Sequence, residues 1–390
     1  MKEGWTYKKL GEVCQSDLGK TLNQSKDTGA LRPYLCAINI LWDKIDLSTL
    51  KQTKFEDSEL ERYSVRKGDL LVCEGGDIGR AAIWDKEEPI QYQNALHRIR
   101  FNEEIYPRFC LLYLRSLKQR GILDHKYAKG VTILHLVKSS LLSIPIPIPA
   151  IIDQQQIVSE LDLLSDVIKK QKTQIDELDK LAQSTFYDMF GDPVTNDKNW
   201  EKTELGKTCT YITDGDHMPP PKAKFGVPFI TISNIDKVNR DILFDDTFYV
   251  PIGYYNSLKE ERKAKNGDVL YTVTGSYGIP VVIKSDNKFC FQRHIALLRP
   301  DKEKLNTSFL CYWVLCDSVK HMADDVATGI AQKAVGLSSL RRFSIILPPL
   351  ALQQEFAAKV EAIEQMKAKV RQSLKESEEL FNSRMDYYFN

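Results

Sequence analysis

Between Pro149 and Pro193 the seam residues recur in alternating steps of four and three: Ile157, Leu161, Leu164, Ile168, Gln171, Ile175, Leu178, Ala182, Thr185 and Met189. A repeat of about 3.5 residues keeps one helix face against a partner helix, so the pattern predicts a coiled-coil seam. The alternative is an ordinary amphipathic helix lying on its own domain. The run predicts about 40 residues of unbroken helix, roughly 60 Å at the usual rise, which favours a protruding spacer. Asp153 and Gln156 have capping-box spacing at its start. Gly191 and Pro193 end it, because glycine accepts a left-handed cap and proline cannot continue a helix.

The partner helix lies in the same chain. Shifting each seam position by 199 residues gives Phe356, Val360, Ile363, Lys367, Val370, Leu374, Ser377, Phe381, Arg384 and Tyr388, again mostly apolar. The repeat extends past the helix. At the same offset Gly68-Asp69 falls on Gly267-Asp268, Gly79 on Gly278, Gln93 on Gln292, Gly130 on Gly329 and Gln154-Gln155 on Gln353-Gln354. Upstream, Leu10-Gly11 and Cys14 match Leu205-Gly206 and Cys209 at an offset of 195, so the second copy carries about four extra residues. The chain is a tandem duplication of lobe plus helix.

Each copy opens with a tryptophan and a Leu-Gly turn, Trp5 and Trp200 leading. A polar segment rich in turn formers follows, Gln15 to Arg32 in one copy and Thr213 onward in the other; such segments run over the surface, where binding residues sit. Tyr34 to Ile40 and Pro228 to Ile232 read as strands. Lys67–Val72 and Asn266–Tyr271 read as a turn into a strand, returning through Ala81–Trp84 and Pro280–Ile283. Helices are expected over 107–120 and 306–322. Each lobe is then mixed α and β, with a sheet built largely from hairpins.

The length of 390 residues suits two such domains. Net charge is only +1, but it is unevenly placed: +4 over residues 1–150, −5 over 151–192, +3 over 193–350 and −1 over 351–390. A polyanion would therefore meet the lobes, not the helices. The opening Met1-Lys2-Glu3-Gly4-Trp5 does not read as a signal peptide and no apolar run is long enough for a membrane span, so a cytoplasmic chain is expected. The eight cysteines show no C-x-x-C pair, which points to buried structural thiols.

Catalytic patterns fail on inspection. Gly19-Lys20-Thr21 and Gly206-Lys207-Thr208 lack the first glycine of a phosphate loop, since Cys14 and Glu201 stand there. Gly75-Gly76-Asp77-Ile78-Gly79 lies between strands, unlike a dinucleotide site. Asp124-His125-Lys126, Glu261-Arg262-Lys263 and Asp286-Asn287-Lys288 have the carboxylate-x-lysine spacing of nucleases, but the duplication preserves none of them. There is no Asn-Pro-Pro-aromatic run of an adenine methyltransferase and no histidine pair at metal-ligand spacing. No catalytic residue, metal or cofactor is expected.

Two lobes, each followed by a long helix, resemble the specificity subunit of type I restriction–modification systems. Gly130-Val131-Thr132, Leu141 to Pro149 and Gln154-Gln155 carry the resemblance in copy one. Gly329-Ile330-Ala331-Gln332, Leu340 to Leu350 and Gln353-Gln354 carry it in copy two, together with Phe190-Gly191-Asp192-Pro193, Asp214-Gly215-Asp216-His217 and Pro228-Phe229-Ile230. Copy one departs in having Ile148-Pro149-Ala150 where copy two has a double proline. The resemblance implies an α+β fold with target-recognition lobes at 1–150 and 193–348. Two antiparallel coiled-coil helices, 151–192 and 349–390, would separate them. It further implies a non-catalytic subunit that reads a bipartite site in double-stranded DNA, docks two methyltransferase subunits and is joined by restriction subunits. Rival readings are a stand-alone nuclease or methyltransferase, and a protein scaffold without DNA. Base edges and phosphates are contacted by amides, charged groups and small hydroxyls. The candidates are Lys20, Asn23, Gln24, Arg32, Lys129, Thr132 and His135 in lobe one. In lobe two they are Asp216, His217, Lys222, Lys224, Gln332 and Lys333. Arg80, Arg100 and Arg299 at strand ends are expected to be structural.

If the helices set the distance between half-sites, four residues inserted near Gln171, matched by four near Lys367, lengthen the spacer by about 6 Å. The methylated half-sites should then move apart by about one to two base pairs, at ~3.4 Å per step, each half-site unchanged. Mapping modified sites checks this; an unaltered gap with full activity would show that something else sets the spacing.

Overall fold

The computed structural model describes residues 4–23, 25, 27–130, 132, 134–329 and 333–390. Both long helices form, Ile151–Phe190 and Leu350–Phe389, each of 40 residues. Gly191 takes the left-handed conformation at the first helix's end, with φ +73°. The chain divides into two compact units, Met1–Gln171 with Ser373–Asn390, and Lys172–Gln372. Each unit thus holds one lobe and half of each helix. In the first unit Gln171 Nε2 donates to Ser373 Oγ at 2.9 Å, and Arg384 donates to Glu160 Oε2 at 2.9 Å, so the halves run antiparallel. In the second, Lys367 Nζ reaches Asp179 at 2.8 Å and Glu364 at 2.9 Å. None of the twenty predicted seam residues is exposed.

The helix start differs from the capping-box expectation. Helix begins at Ile151, which leaves Asp153 inside the first turn, where its negative charge complements the positive end of the helix dipole. The end chemistry falls to Gln154, which is fully buried. Its Oε1 accepts the Tyr106 N–H at 2.8 Å, and its Nε2 donates to the carbonyls of Glu104 at 2.8 Å and Pro149 at 3.0 Å. Gln353 repeats this, accepting from Asn306 N–H at 2.9 Å and donating to Lys304 at 3.1 Å and Pro348 at 2.8 Å. The repeated glutamine fastens each helix to the loop that opens its lobe's own helix.

In lobe one an antiparallel sheet runs in the order Cys14–Leu18, Leu96–Phe101, Leu70–Cys73, Ala81–Ile83; lobe two repeats it with Cys209–Asp214, Ile295–Pro300, Val269–Thr272 and Pro280–Val282. The predicted returns are therefore present. A second sheet in each lobe contains a parallel pair, Ala30–Leu35 with Ile90–Tyr92 and Val227–Ile230 with Cys290–Phe291, so these sheets are not hairpins alone. The strands expected to reach Ile40 and Ile232 stop sooner. A buried asparagine ends each one: Asn39 Oδ1 takes the Cys36 N–H, and Asn234 Oδ1 takes the Thr231 N–H, both at 2.9 Å, closing a short 3-10 turn. Pro107–Gln119 matches its predicted helix, but 306–322 splits at Cys316 into Thr307–Leu315 and Asp317–Val326. The break turns Val319 and Ala323 into the core while Lys320 and Asp324 face out.

Ion pairs fix the Gly-Asp turns. Arg100 grips buried Asp69 with two bonds of 2.7 Å, and Arg299 grips buried Asp268 at 2.9 and 2.7 Å. Arg80 donates to the Ala37 carbonyl at 2.8 Å. All eight cysteines are free thiols, and burial pushes Cys73 up to about 11 and Cys316 up to about 12, far from reactive thiolates. Among the described residues no helix is long and apolar enough to cross a membrane.

Gln154→Ala should cost about 1–3 kcal/mol, because it strands a buried N–H and two carbonyls. Gln155→Ala, at an exposed neighbour, should stay within about 0.5 kcal/mol; urea unfolding of the two variants tests the contrast. His97 makes a second prediction. It is fully buried, its Nε2 donates to the Leu136 carbonyl at 2.7 Å, and its Nδ1 has no partner among the described residues. Burial, with help from nearby Lys138, lowers its pKa. Below about pH 6.5 the unfolded chain therefore binds a proton that the folded chain resists, and stability falls as pH drops toward the folded value. The equivalent residue in the second lobe is Ala296. His97→Asn should flatten the acid side of lobe one's unfolding profile; an equally steep profile would contradict the assignment.

Candidate nucleic-acid interface

Backbone hydrogen bonds stitch several separate segments of each lobe into one edge. In lobe one the polar loop joins the turn before strand Leu96–Phe101: Lys20 N–H donates to Tyr92 at 3.0 Å and Asn94 N–H to Lys20 at 3.1 Å. That turn joins the glycine turn through Glu74 N–H to Ala95 at 3.0 Å, and Leu136 N–H donates to Glu74 at 2.7 Å. Lys129 and His135 exchange bonds of 2.8 Å, closing the last loop. Lobe two repeats the chain of contacts. Asp216 N–H donates to Phe291 at 2.9 Å, Arg293 to Asp216 at 3.0 Å, Val273 to His294 at 2.9 Å, and Gly275 to Lys333 at 2.9 Å. Much of the edge's backbone is thereby paired internally.

The structure sorts the candidates. In lobe one Arg32, Lys129, Thr132 and His135 are exposed. Asn23 is exposed too, its N–H on Asp27 at 2.9 Å and its Oδ1 accepting from Ser25 at 2.8 Å. Lys20 is corrected: it is 5 % exposed, and its ammonium turns inward to Glu59 at 2.6 Å and the Lys54 carbonyl at 2.9 Å. In lobe two Asp216 also turns inward, accepting the Tyr254 hydroxyl and lying 3.6 Å from Arg262. His217 is exposed and held by Asp214 at 2.8 Å. Lys222, Lys224 and Lys333 are exposed, Lys222 lying 5.1 Å from the Phe248 ring centre. Gln24 and Gln332 lie outside the described residues.

Further edge residues emerge only from the fold. Two open cavities of about 490 Å³ flank the Gly275 turn, one lined by Lys320, Asp324 and Lys333, the other by Lys237, Ser276 and His294. Lys237 Nζ donates to Ser276 Oγ at 2.9 Å. Three lysines thus place positive charge on both sides of the turn, a chemistry suited to phosphate. In lobe one the same turn carries Asp77, paired with Lys118 at 3.0 Å. The repeat of Gln93 at Gln292 was a sequence signal for the adjoining turn; Lys237 and Lys320 had none, because strand pairing and the helix break bring them there.

The profile of the type I restriction modification DNA specificity domain matches residues 2–180 and again 163–377. The MjaVIII type I restriction enzyme specificity subunit of Methanocaldococcus jannaschii is 22% identical over 384 residues, spanning 93% of this chain and 87% of that one. The EcoBI type I restriction enzyme specificity subunit of Escherichia coli is 21% identical over 335 residues, spanning 78% and 68%. In fold the chain resembles the type I restriction-modification system S subunit from M. genitalium (TM-score 0.55, 13% identity, 99% and 96% covered). It also resembles a chain solved in work on complex assembly and conformational transition of the type I R-M system (TM-score 0.62, 20% identity, 100% and 98% covered). With the domain present in both halves and the same edge built in both lobes, this chain belongs to the type I restriction modification DNA specificity domain family.

Proposed function

We propose that this chain is the non-catalytic, sequence-reading subunit of a type I restriction–modification complex. Each lobe reads one half of a bipartite site in double-stranded DNA, and the helices set the distance between the halves. The observation that carries this reading is the edge built twice on one frame with different side chains. Asn94 and Ala95 stand where lobe two has Arg293 and His294, and Asp77 stands where it has Ser276. Two similar readers with different contact chemistry suit a site whose halves differ in sequence.

Charge supports the same division of labour. The lobes are net basic and the helices net acidic, so DNA meets the lobes. Two methyltransferase subunits dock on the lobes and helices, restriction subunits join them, and the complex works in the cytoplasm. Most of the phosphate grip then comes from the partners, which is why this chain carries so little net charge.

Sequencing adenine methylation in cells with and without the gene should reveal one bipartite motif that depends on it. Purified alone with mixed DNA and either S-adenosylmethionine or Mg²⁺, the chain should neither methylate nor cleave. Either activity would replace this reading with that of a stand-alone enzyme.

A further inference from the structure

The polar loop of each lobe is held at both ends by the same device. At the near end Gly19 and Gly215 press against neighbouring backbone, where an added Cβ would collide with Tyr92 and Gln93 in one lobe and Phe291 and Gln292 in the other. At the far end Gly29 and Gly226 adopt φ of +99° and +147°, packed on the carbonyls of Phe55 and Val250. The residue after the first glycine is a latch. Lys20 reaches Glu59 in the short helix Asp57–Leu60; Asp216 accepts from Tyr254 in the short helix Ile252–Ser257. Opposite charges do the same job at one position. What lies between the clamps is unrelated: Thr21 to Thr28 in lobe one, His217 to Phe225 in lobe two.

We propose that residues 217–225 are the element by which lobe two discriminates base pairs. Asp216 is a positioning residue that holds this insert in the shared frame. The inference rests on the DNA-reading function above and locates its specificity. The glycine turns recur in both lobes, so their backbones cannot by themselves tell the two half-sites apart. The lobe-two insert carries groups able to meet both the phosphates and the bases of DNA. Lys222 and Lys224 suit phosphates, and His217 offers a ring oriented by Asp214. Met218 and Phe225, 76% and 83% exposed, offer apolar surface to a thymine methyl or a base step. The loop is not slack at this point: Ala223 N–H donates to the Tyr249 carbonyl at 2.8 Å.

The test uses the full chain co-expressed with its methyltransferase partner, read by adenine-methylation sequencing. Replacing 217–225 by the residues of 21–28, both glycine clamps and Asp216 kept, should lower methylation at the original second half-site by at least about tenfold and leave the first half-site unchanged. A second variant, His217→Ala with Phe225→Ala, should relax discrimination by about tenfold at one or two positions of that half-site. Thermal unfolding establishes that each variant folds; if the exchange does not, the double variant decides. A folded variant that keeps the original second half-site at full discrimination overturns the proposal. A wild-type chain that directs no bipartite methylation would overturn the function as well, which separates the two failures.

Discussion

Each lobe's core is closed by residues from both long helices, and this shared burial governs the rest of each unit. In the second unit Phe186 and Phe190 of one helix pack against both Phe309 of the lobe and Phe356 of the other helix, with ring centres 4.8 to 5.5 Å apart. In the first, Ile157 and Leu161 meet Phe381, Met385 and Phe389 over Phe109. Aromatic clusters of this kind contribute large apolar area and some edge-to-face attraction. A helix whose end belongs to a core cannot roll without opening that core. The buried glutamine adds a directional bond at the same junction, so the lobe's edge and the helix seam keep a fixed relation within each unit.

A small number of charges are engaged inside the lobes and the seam. Lys367 occupies a seam position at 1% exposure and is neutralised by Asp179 and Glu364. A single paired charge in a seam specifies register more than it adds stability. Asp69, Asp268, Lys20 and Asp216 are likewise bound within their lobes.

The duplication explains why the two lobes can differ in chemistry without differing in frame. Backbone bonds, clamp glycines and Gly-Asp turns recur, and these set where an insert begins and ends. Latch chemistry varies freely, since an inward ammonium and an inward carboxylate each need only one partner of opposite character. A frame that tolerates such exchange leaves the inserts free to diverge.

The sequence by itself determined the architecture. Seam spacing, the helix-ending glycine and the repeat at a fixed offset are local or periodic signals, and a 3.5-residue pattern over ten positions favours a helix packed along a partner. The Gly-Asp turns and the strands they lead into were legible for the same reason, as was the structural part of Arg100 and Arg299. The tertiary structure decided what each polar residue does. Lys20 and Asp216 look like surface readers in a polar stretch, yet neighbours distant in sequence, Glu59 and Tyr254, turn them inward. Gln154 sits beside Gln155 with identical local chemistry, and only the approach of the Glu104–Tyr106 loop makes one a buried pin and leaves the other in solvent. Periodicity reports which face of an element is apolar; it carries no information about which distant donor or acceptor will meet a polar side chain, because that depends on how strands and helices pack.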